Sequence, residues 1–367
     1  MRLVQLAAYD GPYPGSSVPM IRAALLEAQR RGWQADAVFA ETARGRDWLG
    51  LFAEDGIPAR ILERGPRRGM AAQLRELLDE RPDEPTILHT HFTAYDVPAV
   101  MAARGRANTS VVWHLHTPPD GSLAVRLRNR AKFSWYGRRV SAILCVAPHL
   151  ADRVAALTGD GRASFFPNGI DTTRFHRATP EEKRRARAEL GVAEDGVLLG
   201  HLAWDWQVKG GDILLHAVRR LTDNGHPVAA VTRVASPDAA AALRDELGLQ
   251  DRITVLETLE RIQTLYAAVD VFVSPSRMEG MPFTVLEALL SGVPVVASDI
   301  PGHALIASDY PGCRIVPGTA DGIASGVLSL IGEPADAVAA ETTEAARLIA
   351  SRMGLEAWTR RLFDHYG

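Results

Sequence analysis

The stretch Ser274-Pro275-Ser276-Arg277-Met278-Glu279-Gly280-Met281-Pro282-Phe283-Thr284-Val285-Leu286-Glu287-Ala288-Leu289 decides how the chain is read. The apolar run Val271-Phe272-Val273-Ser274 ends against Pro275, glycine follows Glu279, and Pro282 stands where a helix should begin. A helix N-terminus carries unpaired N–H donors and about half a positive charge, so Gly280, Met281, Phe283 and Thr284 are placed to face an anion. Glu279 and Glu287 stand eight positions apart, a span of ~12 Å were all eight residues helical at ~1.5 Å each. Carboxylates so spaced can hold hydroxyls at the two ends of an extended ligand with phosphate between them, the outline of sugar, diphosphate and ribose. A bare pair of glutamates is more often a cap and a surface charge. Here Glu287 is embedded in Val285, Leu286, Ala288 and Leu289, so its helix face is not simply polar.

Outward from this stretch, short apolar runs alternate with helical patterns. Strands are predicted at 3–8, 35–40, 87–91, 110–115 and 142–146, with helices at 18–31 and 73–78. The rhythm restarts after Pro167-Asn168-Gly169-Ile170-Asp171. Strands then follow at 197–202, 228–234, 253–256, 271–274 and 294–297, with helices at 211–221, 262–268 and 282–290. The pattern predicts an α/β protein of two Rossmann-like parallel-sheet halves facing across a cleft, where open sheets bind ligands at strand carboxyl ends. An amphipathic helix with Trp358 and Leu362 ends the sequence.

Composition narrows the classes. The 367 residues are 47% hydrophobic with net charge −3, enough chain for two domains and without the positive field of a general nucleic-acid binder. The 41 basic residues include three lysines, Lys132, Lys183 and Lys209, and the rest are arginine. Two cysteines, Cys145 and Cys313, suggest neither a disulfide framework nor a zinc site. No apolar run reaches the ~20 residues of a membrane span, and the first apolar stretch is too short for a signal peptide. A cytoplasmic protein is expected.

Residues 274–289, followed by Ser291-Gly292-Val293-Pro294-Val295-Val296-Ala297-Ser298, resemble the donor-site signature of retaining glycosyltransferases of family 4, which have the GT-B fold. The 167–171 joint with Phe175, and the last helix with Trp358 and Tyr366, resemble that family's interdomain connections. The resemblance is strong from about 166 to 317 and looser over the first 160 residues. It implies an acceptor-side domain of 1–166 plus 355–367 and a nucleotide-sugar domain of 167–354. It implies that Glu279 holds a donor-sugar hydroxyl and Glu287 the ribose. Lys209, in Val208-Lys209-Gly210-Gly211-Asp212, would neutralise the diphosphate, the charge that grows as the donor bond breaks. The family usually carries an arginine six positions earlier; here that residue is Ala203, and Arg233 is expected to compensate. His116 aligns with a histidine near the donor sugar, with His91, Tyr95 and Asp96 toward the acceptor. Gly15 and Ser16, in Gly11-Pro12-Tyr13-Pro14-Gly15-Ser16-Ser17, match a loop that often has two adjacent glycines. The implied reaction is metal-independent transfer from a nucleoside-diphosphate-sugar, UDP- or GDP-linked among others, to an acceptor hydroxyl, with no resident cofactor.

Several readings stay open on the sequence. His89, His91, His114 and His116 lie on alternate positions of two strands and suit either a metal site or polar residues lining a cleft. Between Gly121 and Val140, Arg126, Arg128, Arg130, Lys132, Arg138 and Arg139 flank Leu123, Leu127, Ala131 and Trp135, which recur every four positions. That stripe suits weak contact with an anionic membrane or a phosphorylated acceptor, or a face packed on its own domain. An epimerase on the same fold and a degenerate nucleotide-binding subunit are the alternative functions. The acceptor, whether small molecule, lipid-linked or glycan, and the oligomeric state are not legible.

Overall fold

The computed structural model describes residues 1–117 and 122–366; Gly121, where the basic segment begins, and residue 367 lie outside the described residues. The chain divides into two compact units, Met1–Asp171 with Met353–Gly367, and Thr172–Arg352. The first division falls after Asp171 rather than after Phe166 because the joint is tied to the last helix, Leu355–Asp364. Trp358 Nε1 donates to the Pro167 carbonyl at 2.8 Å, and Ile170 N to the Met353 carbonyl at 2.9 Å. A Cβ at Gly169 would lie 2.5 Å from the Trp358 ring, so glycine lets the chain pass beneath the indole.

The first unit has strands β1 (Arg2–Ala7), β2 (Gln34–Ala40), β3 (Ala59–Leu62), β4 (Thr86–His91), β5 (Thr109–Leu115), β6 (Ala142–Cys145) and β7 (Ala163–Phe165). They form one parallel sheet in the order β3-β2-β1-β4-β5-β6-β7. Every residue of β1 and β4 is buried, as expected of central strands covered by helices on both faces.

The second unit has β8 (Val197–Ala203), β9 (Val228–Val234), β10 (Ile253–Leu256), β11 (Val271–Ser274), β12 (Val295–Ser298) and β13 (Cys313–Val316), ordered β10-β9-β8-β11-β12-β13, again parallel. Leu214, Leu215 and Val218 of the helix Gly211–Asp223, with Ile323 and Val327 of the helix Ala320–Ile331, pack on Leu199, Val271 and Val273.

Both sheets reverse strand order at one point, between β1 and β4 and between β8 and β11. Such switch points open a crevice at the strand carboxyl ends. Three strands escaped the sequence reading: β3, β7 and β13. Each lies at a sheet edge, where one flank is unpaired and the residues are half exposed, as in the Ala-Arg-Ile-Leu of β3. Among the described residues no single helix is long and apolar enough to cross a membrane.

Candidate active site

At the switch point of the second unit, the loops leaving β8 and β11 bring Lys209 and Glu279 together. Lys209 Nζ donates to Glu279 Oε1 at 2.6 Å, and Ser276 Oγ donates to the same oxygen at 2.8 Å. Both side chains are about nine-tenths buried, which strengthens the pair relative to a surface one. Gly210 makes the turn possible: its φ is +67°, and a Cβ there would meet the Pro275 carbonyl at 2.1 Å. Beneath the loop His201 donates from Nε2 to the Lys209 carbonyl at 3.1 Å and accepts from Thr232 Oγ1 at Nδ1, 2.8 Å. Burial pushes the His201 imidazole down to about 4, so it holds the loop as a neutral ring.

Pro282 is the residue before the helix rather than its first turn; the helix runs Phe283–Leu290, and no side chain caps its start. The first N–H groups, including those of Phe283 and Thr284, are therefore left for a ligand or solvent. Glu287 lies on the buried side and accepts from Tyr266 OH at 2.8 Å; that phenol also reaches the Thr284 carbonyl at 3.1 Å. Gly280 and Met281 are buried in the connecting turn. Burial and the Glu287 charge hold the phenol well above its ordinary value, so it stays a donor.

Two supports of this site were not read from the sequence. Arg277 joins the β8 and β11 loops, donating to Asp212 Oδ1 and Oδ2 at 2.9 and 2.6 Å and to the Gln207 carbonyl at 2.5 Å. His303, fully buried, bridges Ser274 Oγ at 3.0 Å and the Ser298 carbonyl at 2.9 Å. Arg277 stood inside the decisive stretch, whereas nothing near His303 signalled its role. Ala203 packs with Val234 and Ala240 in an apolar cluster. Arg233 sits one residue earlier in register, opposite Leu202. Its side chain forms no hydrogen bond or ion pair among the described residues.

In the first unit a cavity of about 640 Å³ lies at the strand carboxyl ends, with Arg64, Arg67, Arg128, Lys132, Tyr95 and Asp10 on its walls. Among the described residues Arg64, Arg67 and Arg128 have no ion-pair partner. Tyr95 OH has no hydrogen bond there, and burial pushes the phenol up. The turn that delivers Tyr95 is strained: Phe92 and Thr93, neither a glycine, both have φ +62°. Such conformations cost of order 1–3 kcal/mol each and gather at functional sites. Gly15, at φ +53°, and Ser16, which precedes the helix Ser17–Arg30, shape the loop after β1 without lining this cavity; Asp10 of the same loop does.

The polar atoms of His91 and Asp96, expected toward the acceptor, are engaged inside the unit. Asp96, wholly buried, accepts from Thr90 Oγ1 and from Lys132 Nζ, the latter at 2.5 Å, and so aims Lys132 at the cavity. His91 Nε2 donates to Gln5 Oε1 at 2.7 Å, which makes Nδ1 the acceptor for His116 Nε2 at 3.0 Å. Gln5 Nε2 donates to His89 Nδ1 at 3.3 Å, and Tyr366 OH to the same nitrogen at 2.5 Å. The hydrogen bonds thus run from Tyr366 to the half-buried His116, whose ring also meets Asn168. Burial lowers all four histidines of these strands, His116 to about 4. The candidate nitrogens of His89, His91 and His114 lie within 4.8 Å of one another. A tetrahedral zinc site needs about 3.3 Å between nitrogens at ~2.0 Å bonds, and both His91 nitrogens are in use, so the cluster fits a packed neutral column better than a metal site.

Residues 21–174 match the family described as Glycosyltransferase Family 4, and residues 194–333 match Glycosyl transferases group 1. A D-inositol 3-phosphate glycosyltransferase of Mycobacteroides abscessus is 26% identical over 325 residues, covering 80% of this chain and 71% of the relative. The structure of Anabaena HepE with UDP-glucose superposes with TM-score 0.83 at 19% identity, covering 100% of this chain and 99% of that one. S. aureus TarM, solved with fondaparinux, alpha-GlcNAc-glycerol and UDP, gives TM-score 0.78 at 11% identity over the whole of both chains. Glycosyltransferases of the GT-B fold therefore share the architecture of both units.

Proposed function

The chain belongs to the family 4 glycosyltransferases, and from that premise we propose that it moves a sugar from a UDP-sugar to a hydroxyl of an anionic acceptor, retaining the anomeric configuration and using no metal. The observation that carries this reading is the buried Lys209–Glu279 pair at the β8/β11 switch point. Without donor the two charges neutralise each other. With donor, the diphosphate takes Lys209, and a sugar hydroxyl donates to Glu279. As the bond from the anomeric carbon to the phosphate oxygen breaks, the leaving oxygen gains charge, which Lys209 and the N–H groups at the start of the Phe283–Leu290 helix stabilise. The acceptor oxygen bonds to the same carbon, and its proton passes to the departing phosphate oxygen. Glu287, braced by Tyr266, is assigned to the ribose.

His116 is assigned to the sugar, exchanging Asn168 for a hydroxyl. Arg233, paired with Leu202 one residue before Ala203, is the proposed substitute for the missing phosphate-binding arginine. These positive groups supply the charge compensation that a metal provides elsewhere. The cations on the cavity of the first unit support an acceptor with negative charge, such as a polyol phosphate; relatives named for inositol 3-phosphate favour the same class. The two buried thiols, Cys145 and Cys313, suit the reducing cytoplasm.

Thermal shift with UDP-, GDP- and dTDP-sugars tests the donor assignment. The UDP-sugar should raise Tm, since ligand at a hundred times Kd adds about 2.7 kcal/mol. Failure of all three to move Tm removes the donor reading. NMR of the product then reads the anomer, and inversion removes the retaining mechanism.

A further inference from the structure

The helix Leu123–Ala131 and the π-helical turn Lys132–Tyr136 that follows it hold a surface that the reaction does not use. The stripe read in the sequence as packed or membrane-facing is not packed. Leu123, Leu127 and Trp135 are 66, 60 and 71% exposed, and no residue of the helix is buried. Elsewhere among the described residues, large apolar side chains exposed this far are scattered singly, as Trp204 is. Arg126 and Arg130 flank the stripe and have no ion pair among the described residues. From Gly121 to Ala151 the sequence contains no aspartate or glutamate, although the chain as a whole is acidic by three charges. The opposite side of the same segment has work to do: Val125, Lys132 and Phe133 line the cavity of the first unit. That need fixes the helix orientation and leaves the leucine–tryptophan side outward.

We propose that this segment seats the protein on an anionic lipid surface. Leu123, Leu127 and Trp135 enter the headgroup boundary, and Arg126 and Arg130 pair with lipid phosphates. Apolar insertion and cationic attraction add in such helices, and tryptophan favours that boundary. The charge selects an anionic surface. The apolar stripe selects lipid over nucleic acid, because a phosphate backbone would use the arginines and leave the leucines and tryptophan in water.

The test is sedimentation of the full chain with vesicles of phosphatidylcholine, alone or mixed with phosphatidylglycerol. Binding is expected only to the mixed vesicles and should weaken as salt rises. R126Q/R130Q should bind about 30-fold more weakly, and L127Q/W135Q at least about tenfold more weakly. None of these residues lines the cavity or the donor loops, so the thermal shift with UDP-sugar should be unchanged and certifies the fold. No pelleting with mixed vesicles at low salt overturns the proposal, as does equal binding to phosphatidylcholine alone. A dimer in light scattering that L127Q/W135Q dissolves assigns the stripe to a second copy and also overturns it. Retention of the protein on a duplex oligonucleotide that L127Q/W135Q leaves intact and R126Q/R130Q abolishes overturns it in favour of nucleic acid.

Discussion

The donor loops of the second unit and the cavity of the first stand at equivalent switch points, yet their charges are arranged by opposite rules. In the second unit two cations near the site are neutralised from within, Lys209 by Glu279 and Arg277 by Asp212, and Arg233 alone of the proposed donor cations has no ion pair among the described residues. In the first, Lys132 has Asp96, but Arg64, Arg67 and Arg128 have no such partner among the described residues, and the backbone at Phe92 and Thr93 is strained. A site whose partners are internal is organised before its ligand arrives, and the ligand trades places with a side chain. A site left cationic is completed by the ligand, so its specificity follows the charge of whatever binds there.

The comparison is broken most severely at Glu279. Glu279→Ala should lower kcat by about 10³-fold and lower Tm as well, because Lys209 is left buried without its counter-charge; wild-type turnover in that variant removes the site assignment. Next come the histidines. Burial lowers four in the first unit, His89, His91, His114 and His116, and two in the second, His201 and His303. A histidine lowered by folding contributes stability that is complete above its ordinary value near 6.5. That contribution is lost as pH falls toward the folded value, about 4 for His116 and His201. Hydrogen exchange at pH 5 against pH 7.5 should therefore show the first unit loosening more than the second; equal loosening breaks the contrast. The smallest effects separate the ligands. Arg67→Ala should raise the acceptor KM about tenfold with kcat kept, whereas Arg233→Ala should weaken donor binding by a similar or smaller factor. A donor effect from Arg67, or none from Arg233, reassigns that residue.

The same contrast explains what was legible in the sequence. The proposed donor side is local: Glu279, Gly280, Pro282 and Glu287 fall within one strand–turn–helix stretch, so the apolar setting of Glu287 and the resemblance of the whole stretch pointed to two hydroxyl-binding carboxylates about a phosphate site. The proposed acceptor cavity is lined from the ends of several strands; Arg64 and Arg67 have nothing in their neighbourhood to distinguish them from other surface arginines, and Arg128 stood out only as one of the basic cluster between Gly121 and Val140. His91 and Asp96 were expected toward the acceptor from the family resemblance, through their place beside His116 and Tyr95. The structure instead satisfies them with Gln5, Thr90 and Lys132, partners that no local pattern announces. The central strands declared themselves by continuous apolar runs. β3, β7 and β13 did not, because edge strands need less burial and tolerate residues such as Arg60 and Arg314.

The divided first unit has a consequence for how the molecule is made. Its core includes Trp358, Leu362 and Phe363, and Gln5 is hydrogen-bonded to Tyr366 across 361 residues of chain. During synthesis the sheet that leaves the ribosome first lacks these residues, while the second unit is contiguous and can close as soon as Arg352 has emerged. Loop closure over so long a separation comes late. Of the two units, the one translated earlier is thus finished later, and until then its histidine column and Trp358-facing surface stand open to whatever attends the nascent chain.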